Sequence, residues 1–130
     1  MLIIMKYNKK YTNFGILNSH DKMFYVVDWV DNKNGEKFLN DLKKQSKGLW
    51  EKTFEILRLI KDSNFQKMPY WKPLGDGLFE VRSKFGKLHS RIYCCYRKKN
   101  KIFLLCGAIT QDKSQQKRDI KRARHLKNKL

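Results

Sequence analysis

Residues 78–109 restrict this chain to few architectures. Leu78-Phe79-Glu80-Val81-Arg82-Ser83-Lys84 alternates apolar and polar residues, Phe85-Gly86-Lys87 turns, and Leu88 to Arg97 forms a second strand-like run. Lys98-Lys99-Asn100 turns again, and Ile102 to Ile109 is almost entirely apolar. Side chains on a strand alternate between two faces, so these runs predict three strands. Joins this tight allow only antiparallel neighbours, which makes a meander. The near-continuous apolar run predicts an interior strand covered on both faces. Such a sheet needs a partner layer to bury its apolar face.

The partner is legible upstream. Phe24-Tyr25-Val26-Val27-Asp28-Trp29 is aromatic and β-branched, which favours a strand. Asp31-Asn32-Lys33-Asn34-Gly35 reads as a turn with an Asn available as helix N-cap. Phe38, Leu39 and Leu42 then recur at helical spacing. Ser46-Lys47-Gly48 breaks that helix, and Leu49, Thr53, Leu57 and Ile60 mark the stripe of a second. So short a join predicts a helical hairpin. Residues 63–77, punctuated by Pro69, Pro73, Gly75 and Gly77, read as a loop. Ser114 to Leu130 reads as a basic helix capped by Ser114, with Ile120, Ala123 and Leu126 as a narrow apolar stripe. The expected fold is a single α+β domain in the order β-α-α-β-β-β-α, an antiparallel sheet packed on a helical hairpin with its other face open. It spans residues 23–130, and residues 1–22, which show no clear period, form an N-terminal extension.

At 130 residues the chain suits one core. Its 30 Lys and Arg against 12 Asp and Glu give a formal charge of +18, which attracts polyanions. Residues 1–76 carry 14 basic and 9 acidic side chains, whereas residues 77–130 carry 16 and 3, which puts the expected polyanion site in the second half. RNA or DNA fits this charge best; an acidic protein or an anionic membrane fits it too. Cys94, Cys95 and Cys106 lie in strand-like runs and lack disulfide-framework or metal-ligand spacing, so they read as small buried hydrophobes and no metal site is expected. No apolar run approaches the ~20 residues of a membrane helix. The short apolar start, Met1 to Met5, is not a secretory signal, so a cytoplasmic location and no membrane partner are expected.

Alternation assigns faces. Phe79, Val81, Ile92, Cys94 and Tyr96 should face the core. Glu80, Arg82, Lys84, His89, Arg91, Tyr93, Cys95 and Arg97 should share the opposite face. Arg and Lys suit phosphate, and exposed rings stack on bases. The bland reading of the same pattern is a half-solvated sheet, with Arg82 paired to Glu80 or Asp76.

Several segments resemble the phage-derived, HigB-like branch of the RelE/ParE superfamily, toxins of type II toxin–antitoxin systems. The segments are Met68-Pro69-Tyr70, Leu74-Gly75-Asp76-Gly77-Leu78-Phe79-Glu80-Val81-Arg82, Arg91-Ile92-Tyr93, Leu104-Leu105-Cys106-Gly107 and Arg118-Asp119-Ile120 with Ala123. The resemblance runs from about Met23 to Leu126 and implies a compact fold like that of small microbial ribonucleases. It implies an endoribonuclease (an mRNA interferase) that cuts message on the 70S ribosome. The 2′-hydroxyl attacks the adjacent phosphorus and leaves a cyclic phosphate, with no metal or cofactor. Carried over by position, Arg91 is the transition-state clamp and Arg82 the next candidate. Lys113 and His89 complete the catalytic candidates. Lys84, Lys87, Tyr93, Arg97 and Lys98 are the expected RNA contacts. The resemblance also implies an antitoxin partner with an acidic surface, often a helix-turn-helix repressor.

The sequence departs from that family at one place. An aromatic residue and two lysines commonly follow the last strand's glycine; here the positions read Ala108-Ile109-Thr110-Gln111. Lys113 lies two residues further on, and His89 and Lys87 are the other side chains able to take up the work. The departure keeps two alternatives open: a ParE-like gyrase inhibitor without nuclease activity, and a basic RNA-binding protein without catalysis.

Overall fold

The computed structural model describes residues 26–61, 69–97 and 100–130. Strand β1 (Val26–Trp29) leads into helices α1 (Asn32–Gln45) and α2 (Lys47–Leu59). Strands β2 (Trp71–Gly75), β3 (Leu78–Phe85), β4 (Leu88–Arg97) and β5 (Lys101–Ile109) follow, and helix α3 (Lys113–Asn128) closes the described chain. The five strands form one sheet in the order β1-β5-β4-β3-β2. The three later strands pair antiparallel as expected, whereas β1 runs parallel to β5.

The element order therefore has one strand more than the sequence suggested. Trp71–Gly75, read as loop, pairs antiparallel with β3 and is one end strand of the sheet. Its Pro73 and a register shift before Gly75 hide the alternation that would mark a strand, and both are tolerated only at an edge. Gly75, Asp76 and Gly77 all take positive φ (94°, 54° and 77°), which closes the turn into β3 and accounts for glycine on either side of Asp76.

Two helix caps also differ. Asp31, not an Asn, caps α1 by accepting from the backbone N–H of Lys33 (3.0 Å) and Asn34 (3.2 Å). Asp112, not Ser114, caps α3 by accepting from Gln115 N at 2.7 Å. A carboxylate also complements the helix dipole there. The break between α1 and α2 is Ser46 alone, which ends one helix and caps the next through Leu49 N at 3.1 Å.

The sheet has two cores. Phe79, Val81, Ile92, Cys94, Ile102 and Leu104 meet Leu39, Leu57 and Ile60 of the helical hairpin segment, as the alternation predicted. On the same face Thr53 donates to Leu49 O (2.8 Å) and shares hydrogen bonds with Ser83 and Ser90 (both 2.7 Å), so the buried hydroxyls are satisfied. The opposite face is not open throughout. Helix α3 lays Ala123, Ile120 and Leu126 over Leu78, Tyr93, Cys95 and Leu105. Arg124 pins it to the β2–β3 turn, donating to Leu74 O at 2.6 Å and pairing with Asp76 at 3.7 Å. Both faces of β5 are thus covered, as its composition predicted, and Cys94 and Cys95 lie buried in opposite layers.

A candidate nucleic-acid cleft

Helix α3 leaves uncovered the end of the sheet nearest the β3–β4 hairpin. There Arg82 faces Arg91 and Lys84 faces His89 across the two strands, with directly opposed Cβ atoms ~4.5–5.5 Å apart. β2 begins at Trp71, opposite Val81, and one more backbone bond joins Arg82 N to Tyr70 O at 2.8 Å; past it, β3 borders helix α2. The gap is a cleft of 360 Å³ lined by Lys52, Ile56, Pro69, Tyr70, Arg82, Ser83, Lys84 and His89. Among the described residues three cations line it and no carboxylate does. A second cleft of 240 Å³, between α1, β5 and α3, sets Asp41 beside Lys37 and Arg122, a mixed lining less suited to a polyanion.

His89 is held by its backbone. Its N–H donates to Thr110 Oγ1 at 3.2 Å, and its carbonyl accepts from Thr110 N at 2.8 Å. Thr110 does this with φ of +40°, a strained conformation for a β-branched residue. Burial lowers the His89 pKa below its ordinary value, and Arg91, Lys84 and Arg82 add to the shift. That shift favours the neutral imidazole, the form able to accept a proton.

Arg91 is less free than its neighbours. Its Nε lies 3.2 Å from Glu80 Oε2, with side chains only 15% and 6% exposed. Arg82 is exposed, and its guanidinium reaches the Pro69 carbonyl at 3.5 Å. Neither pairing imagined for Arg82 is made, because Glu80 takes Arg91 and Asp76 takes Arg124.

The other expected contacts separate. Tyr93 is fully buried under α3, so it offers no face to a base. Burial raises its phenol pKa, and its hydroxyl exchanges hydrogen bonds with Gln111, which also bonds Asp119. Parity had put Tyr93 on the correct face, but helix α3 covers that half. Arg97 is exposed eight residues along β4 from His89, ~26 Å away. Lys113 opens α3 and Lys87 is exposed in the hairpin turn; neither lines the cleft. Lys98, the stretch 1–22, Phe24, Tyr25 and Met68 lie outside the described residues. Sequence reasoning missed Lys52 and Tyr70, because they join the cleft through nonlocal packing. The altered Thr110-Gln111 pair now has a structural use: Thr110 fastens His89, and Gln111 ties Tyr93 to α3.

Among the described residues, no three His, Cys, Asp or Glu side chains converge as a metal site, and no helix is long and apolar enough to cross a membrane. The fold and the cleft define a small basic α+β protein with a cation-lined groove that also holds a histidine of lowered pKa. The chain belongs to the family of phage-derived Gp49-like proteins (DUF891), whose model matches residues 37–128. That family lies within the RelE/HigB-type toxin superfamily and is associated with the toxins of toxin–antitoxin pairs. No curated protein matches the chain.

Proposed function

We propose that this protein is the toxin of a type II toxin–antitoxin pair and a ribosome-dependent endoribonuclease of the HigB-like kind. The observation that carries the reading is the cleft itself, where Lys52, Arg82 and Lys84 line the same walls as a backbone-clamped His89 whose pKa is lowered. Cleavage of RNA by its own 2′-hydroxyl needs a base for that proton and cations for the phosphorane oxygens. His89 takes the 2′-OH proton while the 2′-oxygen bonds to phosphorus. The P–O5′ bond breaks, and the 5′-oxygen receives a proton from the imidazolium. The products are a 2′,3′-cyclic phosphate and a 5′-hydroxyl. Arg82 and Lys84 hold the phosphate oxygens at the cleft, and Arg91, steadied by Glu80, adds a fixed positive charge behind them.

A toxin of this kind is kept silent by an antitoxin. The cations exposed on α3 and around the cleft suit a partner with an acidic surface, and their attraction speeds association. That binding weakens as salt rises.

The test is a purified translation reaction with message integrity mapped by primer extension. Wild type should cut at codon positions only with ribosomes present, and Arg82→Ala and His89→Ala should not cut. Intact message at high protein excess refutes the nuclease; loss of gyrase supercoiling in a parallel assay then points to the ParE-like alternative.

A further inference from the structure

The open end of the sheet face lacks the stacking ring expected there, because Tyr93 is buried. Another ring stands beside the cleft. Among the described residues only Leu59 and Phe85 are large apolar side chains left exposed, and Phe85 is 49% exposed at the tip of the β3–β4 hairpin. Its ring rests on Gly48 of α2, where an added Cβ would fall inside van der Waals contact of Cζ, Cε1 and Cε2. Glycine is what allows the ring to lie against the helix. With one side on the helix and half its surface accessible, the ring presents its other side to solvent.

Gly48, Lys52 and Ile56 recur every four residues and share one helix stripe. Lys52 and Ile56 line the cleft, and four helical residues rise ~6 Å, so the ring sits one turn beyond the cleft's cations. Exposed Lys84 and Lys87 flank Phe85 in sequence, and exposed Lys47 precedes the Gly48 on which the ring rests. A flat apolar surface edged by lysines, next to a cation-lined cleft, suits one nucleotide: base on the ring, phosphate on the cations.

We propose that Phe85, held flat by Gly48, is the stacking platform for one base of single-stranded RNA whose phosphate lies in the Lys52–Arg82–Lys84 cleft. This rests on the RNA-directed reading above and adds to it a specific base contact. Every base has a π-face, so the ring fixes position along the strand without selecting sequence.

The experiment uses a fluorescein-labelled 2′-O-methyl RNA octamer, which binds but lacks the nucleophile, titrated by anisotropy at several salt concentrations. Phe85→Leu should weaken binding by roughly 5- to 150-fold with its salt dependence unchanged. Lys84→Ala should instead reduce the slope of log affinity against log salt by about 0.7. An abasic residue at one octamer position should erase the difference between wild type and Phe85→Leu. Phe85→Trp should bind at least as tightly, and its indole emission should be quenched by the octamer; this variant decides the matter if Phe85→Leu does not fold. Equal affinity of Phe85→Leu and wild type, or an unquenched indole, overturns the platform and leaves RNA binding standing. A wild type that binds no octamer, with or without ribosomes, overturns the RNA reading and the platform with it.

Discussion

Arg91→Ala is the perturbation whose outcome the structure constrains most. Its guanidinium lies 3.2 Å from a carboxylate, and both side chains are largely shielded from water. At an effective dielectric near 20, charges that far apart attract by about 5 kcal/mol. That attraction is offset by the desolvation of both groups, so the pair itself adds little net stability. Removing one partner is different, because Glu80 then stays buried with its charge unanswered. The cost expected is about 3–5 kcal/mol. At about 4 °C per kcal/mol, the melting temperature should fall by on the order of 12–20 °C. The double variant Glu80→Gln/Arg91→Met removes both charges and should recover most of the loss. Thermal and urea unfolding followed by circular dichroism reads both effects. A loss below about 1 kcal/mol in Arg91→Ala would place the pair among solvent-exposed salt bridges and refute the reasoning. The double variant then separates chemistry from folding: if it folds normally and does not cut RNA, Arg91 acts on the phosphate. If it cuts, Arg82 is the clamp and Arg91 is structural.

The lowered His89 pKa sets the acid limb of any cleavage profile below pH 6.5, with a plateau above it. Lys84→Met removes one positive neighbour and should move that limb upward; a wild-type limb at or above 6.5 would contradict the assignment. Lys61 is buried, and burial, aided by Arg58, lowers its pKa to about 7. Above that pH the folded chain sheds a proton that the unfolded chain keeps up to about 10.4, so stability should rise with pH between these values. Urea midpoints measured across that window should climb in wild type and stay flatter in Lys61→Met. Thr110→Val keeps the β-branched backbone preference but removes the hydroxyl that accepts from His89 N. It should cost about 1 kcal/mol in stability and slow cleavage; full activity would show that the clamp does not position the imidazole.

How much the sequence revealed depended on whether the deciding interaction was local. Strand parity was legible from period-2 alternation, so the faces of Phe79, Val81, Ile92 and Cys94 followed directly. The helical hairpin was legible from the stripe Leu49-Thr53-Leu57-Ile60, and the double cover of β5 from its apolar run. Strand β2 was not, because a five-residue edge strand holding Pro73 and a register shift has no alternation to read. Arg82, Lys84 and His89 were legible as cleft candidates because they lie on opposed positions of one hairpin. Lys52 and Tyr70 were not, because α2 and the residues before β2 reach the cleft through contacts distant in sequence.

The sequence by itself determined a basic chain with an antiparallel meander, a hairpin of helices beneath it and most of its positive charge in the second half. Only the tertiary structure decided which part of the second sheet face meets solvent. Alternation tells which face a residue takes, but not what lies above that face. Helix α3 docks through Ile120, Ala123 and Leu126, anchored by Arg124 to a turn some fifty residues earlier. That docking buries Tyr93 and Cys95, leaves Arg82, Lys84 and His89 open at the other end, and so places the cleft beside Phe85.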